Sequence, residues 1–241
     1  SRFQGKIKQF AKVGRNGETL IECSLKQAIP AGFSKIIFVV GNKTEKVFKE
    51  KFGENYEGIP VYYAFQFYDE SLRDKPWGTT DALCSAKPFL NCPFVICNGD
   101  DLYGENSFKI LAEHLKKNEN CATIGFKLKD VLPEHGKTNR GIFQYDENNF
   151  VMEIKEILGI EKEDIRDEKR FKEDSLCSMN IFALQSNVVD ELSVLLGQFK
   201  EKNEKERKAE AFLPEDISNL IKQKKTSMKI YPASDLWIGI T

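Results

Sequence analysis

The chain has 241 residues, of which 41% are hydrophobic and 30% are charged, and its formal net charge is −1. This balance is typical of a folded globular protein and argues against intrinsic disorder. A net charge near zero gives no large basic field, so we expect no non-specific binding of nucleic acid. No apolar run reaches the ~20 residues that a membrane-spanning helix needs, so we expect no membrane protein.

Apolar runs and amphipathic stretches alternate in the first half of the chain. Residues 35–40 form a short, continuous β-branched run, as expected for a strand that is covered on both faces. Helical spacing of apolar residues and stop signals such as Gly53 mark the helices. The predicted order is helix 19–31, strand 35–40, helix 44–52, strand 61–66, helix 80–87, strand 94–98 and helix 108–117.

The second half has strand-like patterns with looser connections, at 122–126, 141–145, 151–156 and 178–184. Two highly charged stretches are predicted to be exposed: 161–174 as a loop or frayed helix, and 200–208 as a loop or solvated face. No repeat or low-complexity linker divides the chain. Strands that alternate with helices predict right-handed crossovers and a single doubly wound, three-layer α/β domain with a mainly parallel, mixed sheet.

Six cysteines are scattered along the chain without a Cys-x-x-Cys pair, and several lie inside apolar segments. This distribution indicates small buried side chains in a reducing compartment. The reducing compartment indicated by the cysteines leads us to expect a cytoplasmic protein. No secretory signal is visible, although the chain opens at Ser1 without an initiator methionine and does not look as if it begins at a natural start.

Two adjacent carboxylates, Asp100 and Asp101, follow the predicted strand 94–98. In open α/β sheets, ligands bind beyond the carboxyl ends of the strands. Neighbouring carboxylates are unfavourable unless a cation or a base neutralises them. Mg²⁺ takes one or two carboxylates together with substrate phosphates, so this position is a candidate metal site. An acidic surface turn would have the same composition.

A second candidate segment follows the predicted strand 61–66. Gly78 permits a close approach of the backbone, and Thr79 and Thr80 could cap the helix that follows. The N-terminus of a helix is a suitable place for a phosphate or the edge of a base. A plain capped turn is the alternative.

The first residues form a third candidate segment. Arg2, Lys6 and Lys8 lie close together among glycine and polar residues. Such cations suit a triphosphate. A solvated chain terminus is the alternative.

Taken together and in this order, the motifs of the chain resemble those of the sugar-phosphate nucleotidyltransferase family. That family includes glucose-1-phosphate uridylyl- and thymidylyltransferases and, more distantly, cytidylyltransferases. Each motif is weak alone, but several in the right order along the whole chain are hard to explain by chance. The motifs are Ser1-Arg2-Phe3, Lys8-Gln9, Asn16-Gly17-Glu18-Thr19-Leu20-Ile21-Glu22, Gln66 with Gly78-Thr79-Thr80-Asp81-Ala82, Asn98-Gly99-Asp100-Asp101, Asn139-Arg140-Gly141-Ile142, the segment 153–156, and Ser178-Met179-Asn180.

The resemblance implies a Rossmann-like nucleotidyltransferase domain over 1–241, with a nucleotide-binding half at 1–120 and an acceptor-binding half at 121–241. It also implies Mg²⁺-dependent transfer of a nucleoside monophosphate from a nucleoside triphosphate to a sugar 1-phosphate, with release of pyrophosphate. Late helices often help to form dimers in this family, so a homodimer is an option.

The resemblance further assigns roles to individual residues. The catalytic residues are Arg2, Lys8 and Asp100, and the metal ligands are Asp100 and Asp101. The nucleotide-binding residues are Ser1, Gln66, Gly78, Thr79, Asn98 and Gly99. The acceptor-binding residues are Arg140, Gly141, Lys155, Glu156 and Asn180.

The sequence departs from the family pattern in three places. The initial strand and the Gly-x-Gly part of the first loop are absent, so we expect that about ten residues are missing. Ile238 stands where many relatives have a second metal-binding Asp, for which Asp235 could substitute. Relatives have a Glu-Lys pair that contacts the sugar. In this chain Glu153 and Glu156 are both candidates for the glutamate of that pair, with Lys155 between them, and Glu156 fits better.

Three other functions remain open at this stage. A glycosyltransferase that consumes a nucleotide-sugar usually has Asp-x-Asp at the strand end, whereas Asp100 and Asp101 are adjacent. A cytidylyltransferase that acts on a non-sugar phosphate such as phosphocholine would use nearly the same residues. A non-catalytic nucleotide-sugar sensor is the third alternative. The sequence leaves the base and the sugar undetermined.

Overall fold

The structure, a computed structural model, describes residues 7–166, 170–172 and 174–239. The predicted catalytic Arg2 and the predicted nucleotide-binding Ser1 lie outside the described residues. No helix in the described part of the chain is both long and apolar enough to cross a membrane.

The described residues form helices and strands that alternate as predicted in the first half of the chain. Those of the first half are α1 (Leu20–Ala28), β1 (Ile36–Val40), α2 (Glu45–Phe52), β2 (Asn55–Tyr56), β3 (Ile59–Phe65), α3 (Thr79–Ser85), β4 (Phe94–Ile96), β5 (Asp101–Leu102) and α4 (Glu105–Lys117). Those of the second half are β6 (Cys121–Lys127), β7 (Thr138–Tyr145), β8 (Val151–Ile160), β9 (Leu176–Leu184), α5 (Val188–Lys202), α6 (Leu213–Lys222), β10 (Met228–Pro232) and β11 (Ile238–Gly239).

The strands form three hydrogen-bonded groups. One has the order β1-β3-β2, a larger one has the order β10-β6-β9-β7-β8 with β4 also paired to β9, and β5 pairs with β11. Parallel pairing joins β1 to β3 and β6 to β10, whereas the other described pairs are antiparallel. The mixed α/β class is thus confirmed, with more antiparallel pairs than the alternation of helices and strands predicted.

Helices cover both faces of the larger sheet. Ile181 of β9 packs into a cluster with Phe108 and Leu111 of α4, whereas the next residue, Phe182, packs into a cluster with Leu192 of α5 and Ile217 of α6. Successive side chains of a strand point to opposite faces, so one apolar strand serves both clusters. This arrangement is the predicted three-layer architecture.

A cavity of about 370 Å³ lies between the two larger sheets and is lined by residues of β1, β4, α1 and α3. Among the described residues, β1 pairs only with β3, and β4 pairs only with β9. Asn98 and Gly99, in the turn that follows β4, also line this cavity.

Candidate functional site

The acidic turn after β4 brings two predicted catalytic residues together. The ammonium nitrogen of Lys8 lies 3.6 Å from Oδ2 of Asp100, and the two side chains are 39% and 31% exposed. An ion pair with this exposure is screened by water and contributes little to stability. Both charged groups are therefore accessible to a ligand.

The neighbouring Asp101 has a different environment. It lies in β5 and is buried, and its Oδ2 accepts hydrogen bonds from Nδ2 of Asn98 at 2.9 Å and from the hydroxyl of Tyr103 at 3.2 Å. Burial raises the pKa of Asp101, the bond from Asn98 opposes this, and the charge of Asp100 adds to the rise. The two adjacent carboxylates therefore point into different surroundings.

The donor set fits Mg²⁺ only with help from a substrate. The carboxylate of Asp100 is accessible, whereas one oxygen of Asp101 is already committed to two hydrogen bonds. Within the described ranges, no group of three or more His, Cys, Asp or Glu side chains is placed to hold a metal ion. Mg²⁺ in phosphate-handling enzymes is commonly bound by one or two carboxylates plus phosphate oxygens, and Asp100 could supply that protein ligand.

Asp235, the possible substitute for a second metal ligand, is engaged at the start of α4. Its two carboxylate oxygens accept hydrogen bonds from the backbone nitrogen of Asn106 at 2.9 Å and from Nδ2 of the same residue at 3.0 Å. A carboxylate at the N-terminus of a helix is stabilised by the unpaired N–H groups there. The two oxygens of Asp235 therefore have hydrogen-bond partners at the start of α4, and their placement requires no metal ion.

The cavity between the sheets collects polar residues from both halves of the chain. Thr79, Asn98 and Gly99 from the predicted nucleotide-binding set line it, and so does Asn180 from the predicted acceptor-binding set. Gln9 also lines it, although it was not among the predicted site residues. Its position directly after Lys8 was the signal that could have found it.

Asn180 reaches the cavity through an irregularity in β9. It has a positive φ of 59°, and its backbone nitrogen donates to Oγ of Ser178 at 3.2 Å. The pairing of β9 with β6 shifts in register in this stretch. Asn is among the non-glycine residues that tolerate a left-handed backbone, and such residues often occur at functional sites.

Gln66 and Gly78, which are both predicted to bind the nucleotide, contact each other. Gln66 follows β3 directly, and its Nε2 donates to the carbonyl oxygen of Gly78 at 3.0 Å and to Oδ2 of Asp81 at 2.8 Å. Asp81 is buried and forms an ion pair with Lys200. The stretch 200–208, predicted to be a loop or solvated face, therefore supplies a partner for the nucleotide-side segment.

The need for glycine at position 78 has a local cause. Gly78 has a φ of 101° and forms a bridge with Ala211. A Cβ atom at position 78 would overlap the backbone of Ala211. The close approach inferred from the sequence is thus made to another part of the chain.

The prediction that threonine caps α3 was wrong. The N-cap of α3 is Gly78, and no side chain caps it. Instead, Oγ1 of Thr79 accepts from the backbone nitrogen of Leu213 at 2.9 Å, and Oγ1 of Thr80 donates to Asp216. Both hydroxyls satisfy groups of α6, because that helix packs beside α3.

The loop before Gly78 is held by a buried arginine. Arg73 donates to the carbonyl oxygens of Lys75, Glu206 and Ala209. Its guanidinium carbon lies 3.3 Å from the ring centroid of Trp77. These contacts tie the loop to the segment that follows α5.

The predicted acceptor residues are divided between the two faces of the larger sheet. Gly141 pairs with Glu156, and the next pair along is Ile142 with Lys155. Because side chains alternate along a strand, Lys155 and Glu156 point to opposite faces. The structure therefore does not bring Lys155 beside Glu156.

Arg140 lies on the same face as Lys155, since it precedes Gly141 in β7. Its guanidinium donates to Oγ1 of Thr138 at 2.8 Å and to the carbonyl oxygen of Val131 at 3.0 Å. Burial lowers the pKa of Arg140, and the charges of Asp101 and Glu156 partly oppose this. Arg140 is thus held by the loop before β7.

Glu156 occupies the face that α6 covers. A Cβ atom on Gly141 would lie 3.0 Å from Cγ2 of Ile154 and 3.5 Å from Oε2 of Glu156, so Gly141 lies directly beside this carboxylate. Partial burial raises the pKa of Glu156, Glu215 raises it further, and Arg140 lowers it. A carboxyl group in such a setting is a suitable hydrogen-bond partner for hydroxyl groups.

Residues 4–237 match the family described as "Nucleotidyl transferase". The chain belongs to this family. The match covers nearly the whole chain, and the resemblance drawn from the motifs is confirmed. No curated protein matches the sequence with significance.

Solved structures share the fold of this nucleotidyl transferase family member. The inositol-1-phosphate CTP transferase from T. maritima has a TM-score of 0.67 and 14% identity, over 99% of this chain and 82% of that one. A putative glucose-1-phosphate thymidylyltransferase from Bacillus anthracis has a TM-score of 0.68 and 19% identity, over 96% of this chain and 80% of that one. A UDP-glucose pyrophosphorylase complexed with UDP-glucose has a TM-score of 0.62 and 15% identity, over 94% of this chain and 83% of that one.

Proposed function

We propose that this protein transfers a nucleoside monophosphate from a nucleoside triphosphate to a sugar 1-phosphate and releases pyrophosphate, with Mg²⁺ as its cofactor. The observation that carries the proposal is the accessible pair of Lys8 and Asp100 beside a cavity lined by residues from both halves of the chain. Family membership supports it, and two of the structural relatives are a putative glucose-1-phosphate thymidylyltransferase and a UDP-glucose pyrophosphorylase.

The reaction is an in-line displacement at the α-phosphorus. A phosphate oxygen of the sugar 1-phosphate forms the new bond, and the bond to pyrophosphate breaks. The attacking oxygen is already anionic, so no general base is required. Catalysis then depends on positioning and on neutralising charge.

The cations and the accessible carboxylate divide the work of charge neutralisation. Lys8, together with Arg2 from the first segment, binds the β- and γ-phosphates and stabilises the leaving pyrophosphate. Asp100 would hold Mg²⁺, which would supply positive charge to the phosphate oxygens. We keep Asp101 as a secondary ligand in the proposal, although its hydrogen bonds also give it a structural role.

The remaining residues select the two substrates. On the nucleotide side we assign Ser1, Gln66, Gly78, Thr79, Asn98 and Gly99. On the acceptor side we assign Gly141, Glu156 and Asn180, and we leave out Arg140 and Lys155 because they lie on the other face of the sheet from Glu156. We further propose one domain over 1–241, a cytoplasmic location, small-molecule substrates without nucleic acid or membrane, and a homodimer.

Pyrophosphate release tests the function directly. The purified protein is incubated with Mg²⁺, each common nucleoside triphosphate, and a panel of sugar 1-phosphates, inositol 1-phosphate and phosphocholine. We expect release with a sugar 1-phosphate and one preferred nucleotide. Release with phosphocholine alone would establish the non-sugar cytidylyltransferase instead. No release from any pairing, with confirmed nucleotide binding, would favour the sensor.

A further inference from the structure

The side-chain amide of Gln66 is held in one orientation. Its Nε2 carries two hydrogens, and both are used, one by the carbonyl oxygen of Gly78 at 3.0 Å and one by Oδ2 of Asp81 at 2.8 Å. No described residue donates to its Oε1. The only polar atom of this side chain that is left for a ligand is therefore an acceptor.

The reversed orientation is excluded by chemistry. A backbone carbonyl and an ionised carboxylate can only accept hydrogen bonds. If the amide of Gln66 rotated by half a turn, its Oε1 would face the carbonyl oxygen of Gly78 and Oδ2 of Asp81. Neither pair of oxygens would then have a hydrogen to share. A half-buried Gln66 beside a buried Asp81 would then leave unpaired polar atoms, which is costly.

The carboxylate of Asp81 is itself fixed from the far side. Its Oδ1 accepts from Nζ of Lys200, and the same ammonium group lies 5.7 Å from the ring centroid of Trp77. Trp77 packs edge-to-face against Phe199 and is covered by the guanidinium of Arg73. A buried carboxylate needs such a partner, and this one cannot swing away without losing it.

We propose that Asp81, held by Lys200, is a positioning residue that fixes Gln66 as a hydrogen-bond acceptor and so sets which nucleotide base the site accepts. The inference rests on the proposed nucleotide-binding role of Gln66. A base that presents an N–H or an amino group toward Oε1 gains a hydrogen bond. A base that presents a carbonyl oxygen or a bare ring nitrogen at that point meets an acceptor and is rejected.

The test replaces the carboxylate by a group that can both donate and accept. In Asp81→Asn, the new amide can donate to Oε1 of Gln66, so only the carbonyl oxygen of Gly78 still opposes the reversed orientation and the preference for one orientation is weaker. Binding of each nucleoside triphosphate with Mg²⁺ is measured by calorimetry without an acceptor, and kcat and KM are measured with one. We expect the ratio between the best and the next nucleotide to fall by about tenfold, the equivalent of about 1.4 kcal/mol. We expect kcat with the best nucleotide to change less than threefold.

Asp216→Asn is the matched control. It makes the same substitution in the same packing region, and Asp216 contacts Thr80 rather than Gln66. We expect it to keep the selectivity of the wild type. If Asp81→Asn does not fold, Lys200→Met replaces it, since it removes the ammonium group that holds Asp81 and should lower the selectivity in the same direction.

The outcomes separate the inference from the proposed function. Equal selectivity in the wild type and Asp81→Asn, or an equal loss in both Asp→Asn variants, would overturn the role of Asp81. A wild type that binds every nucleotide equally would overturn it as well. Selective binding that Asp81→Asn relaxes, without pyrophosphate release from any pairing, would support the inference and reject the proposed reaction.

Discussion

The ammonium group of Lys8 lies 3.6 Å from the carboxylate of Asp100, although Lys8 precedes α1 and Asp100 follows β4. A Cβ atom placed on Gly99 would lie 3.6 Å from Ile21 of α1 and 3.7 Å from Gln9, so the turn after β4 lies against α1 and against the segment that contains Lys8. The packing of α1 against this turn therefore brings the two charges together.

The first prediction concerns Asp100. We expect Asp100→Ala to lower kcat by about two to three orders of magnitude, the loss seen when one charge-stabilising group is removed from an active site. The melting temperature should hardly change, since the ion pair with Lys8 is accessible to water. Pyrophosphate release checks the prediction. Asp130→Ala, at an exposed position, is the control, and equal activity in both variants would contradict the role of Asp100.

The second prediction separates two neighbours on β8. We expect Glu156→Gln to raise KM for the sugar 1-phosphate by about tenfold, as for a lost hydrogen bond to a charged group, with little change in KM for the nucleotide. Lys155→Met should change both values less than twofold, because Lys155 points to the other face of the sheet. Steady-state kinetics with one substrate varied at a time measures the two KM values separately. The same effect in both variants would refute the assignment of Glu156.

The third prediction concerns the backbone of Gly78. Gly78→Ala and Gly58→Ala both place a side chain at a positive φ, of 101° and 85°, and that strain costs about 1–2 kcal/mol. Only at Gly78 would the new Cβ overlap the backbone of Ala211, whereas no atom lies near it at Gly58. We therefore expect Gly78→Ala to cost about 1–3 kcal/mol more in the free energy of unfolding. Urea denaturation measures it, and equal costs would show that Gly78 does not approach Ala211.

The fourth prediction concerns the arginine that holds the 69–77 loop. Arg73→Met leaves three backbone carbonyls without their donor, so we expect it to lower the free energy of unfolding by about 3 kcal/mol or more. Arg207→Met removes an exposed ion pair with Asp74 and an exposed hydrogen bond to the carbonyl oxygen of Ser71, and water can replace both, so it should cost less than about 1 kcal/mol. Tryptophan fluorescence should also change in Arg73→Met, since Trp77 loses its covering group. A cost no larger than that of Arg207→Met would refute the anchoring role.

The fifth prediction concerns pH. Burial raises the pKa of Asp216 above its usual value of 3.8, although the hydrogen bond from Thr80 partly opposes this. The folded state then holds the proton more tightly than the unfolded state, so this group's contribution to stability falls as the pH rises from about 3.8 through the raised pKa.

Asp216→Asn should remove the free-energy cost of burying the charged carboxylate, because an amide oxygen can still accept from Thr80 and carries no charge. We expect the variant to gain stability over the wild type as the pH rises from 4 to 7, as measured by urea midpoints in metal-free buffer. Asp130→Asn, at an exposed site, should show no such trend. A stability advantage of Asp216→Asn that shrinks toward pH 7 would contradict a raised pKa of Asp216.

The sequence by itself determined the class of fold, the family and several element positions. The apolar run 35–40 became β1 and the amphipathic stretch 44–52 became α2, because hydrophobic periodicity is a local property. The order of short motifs identified the family. Five described elements were not predicted, namely β2, β5, α6, β10 and β11, and α5 was noticed only through the charges near its end.

Tertiary structure alone decided how polar groups are paired. Thr79 and Thr80 look like helix caps from their neighbours, but α6 packs beside them and takes their hydroxyls. Lys200 lies in a charged run that predicts a solvated face, yet it pairs with a buried Asp81. A buried polar group must find a partner somewhere, and which partner is near depends on chain segments more than a hundred residues away, where no local pattern can report it.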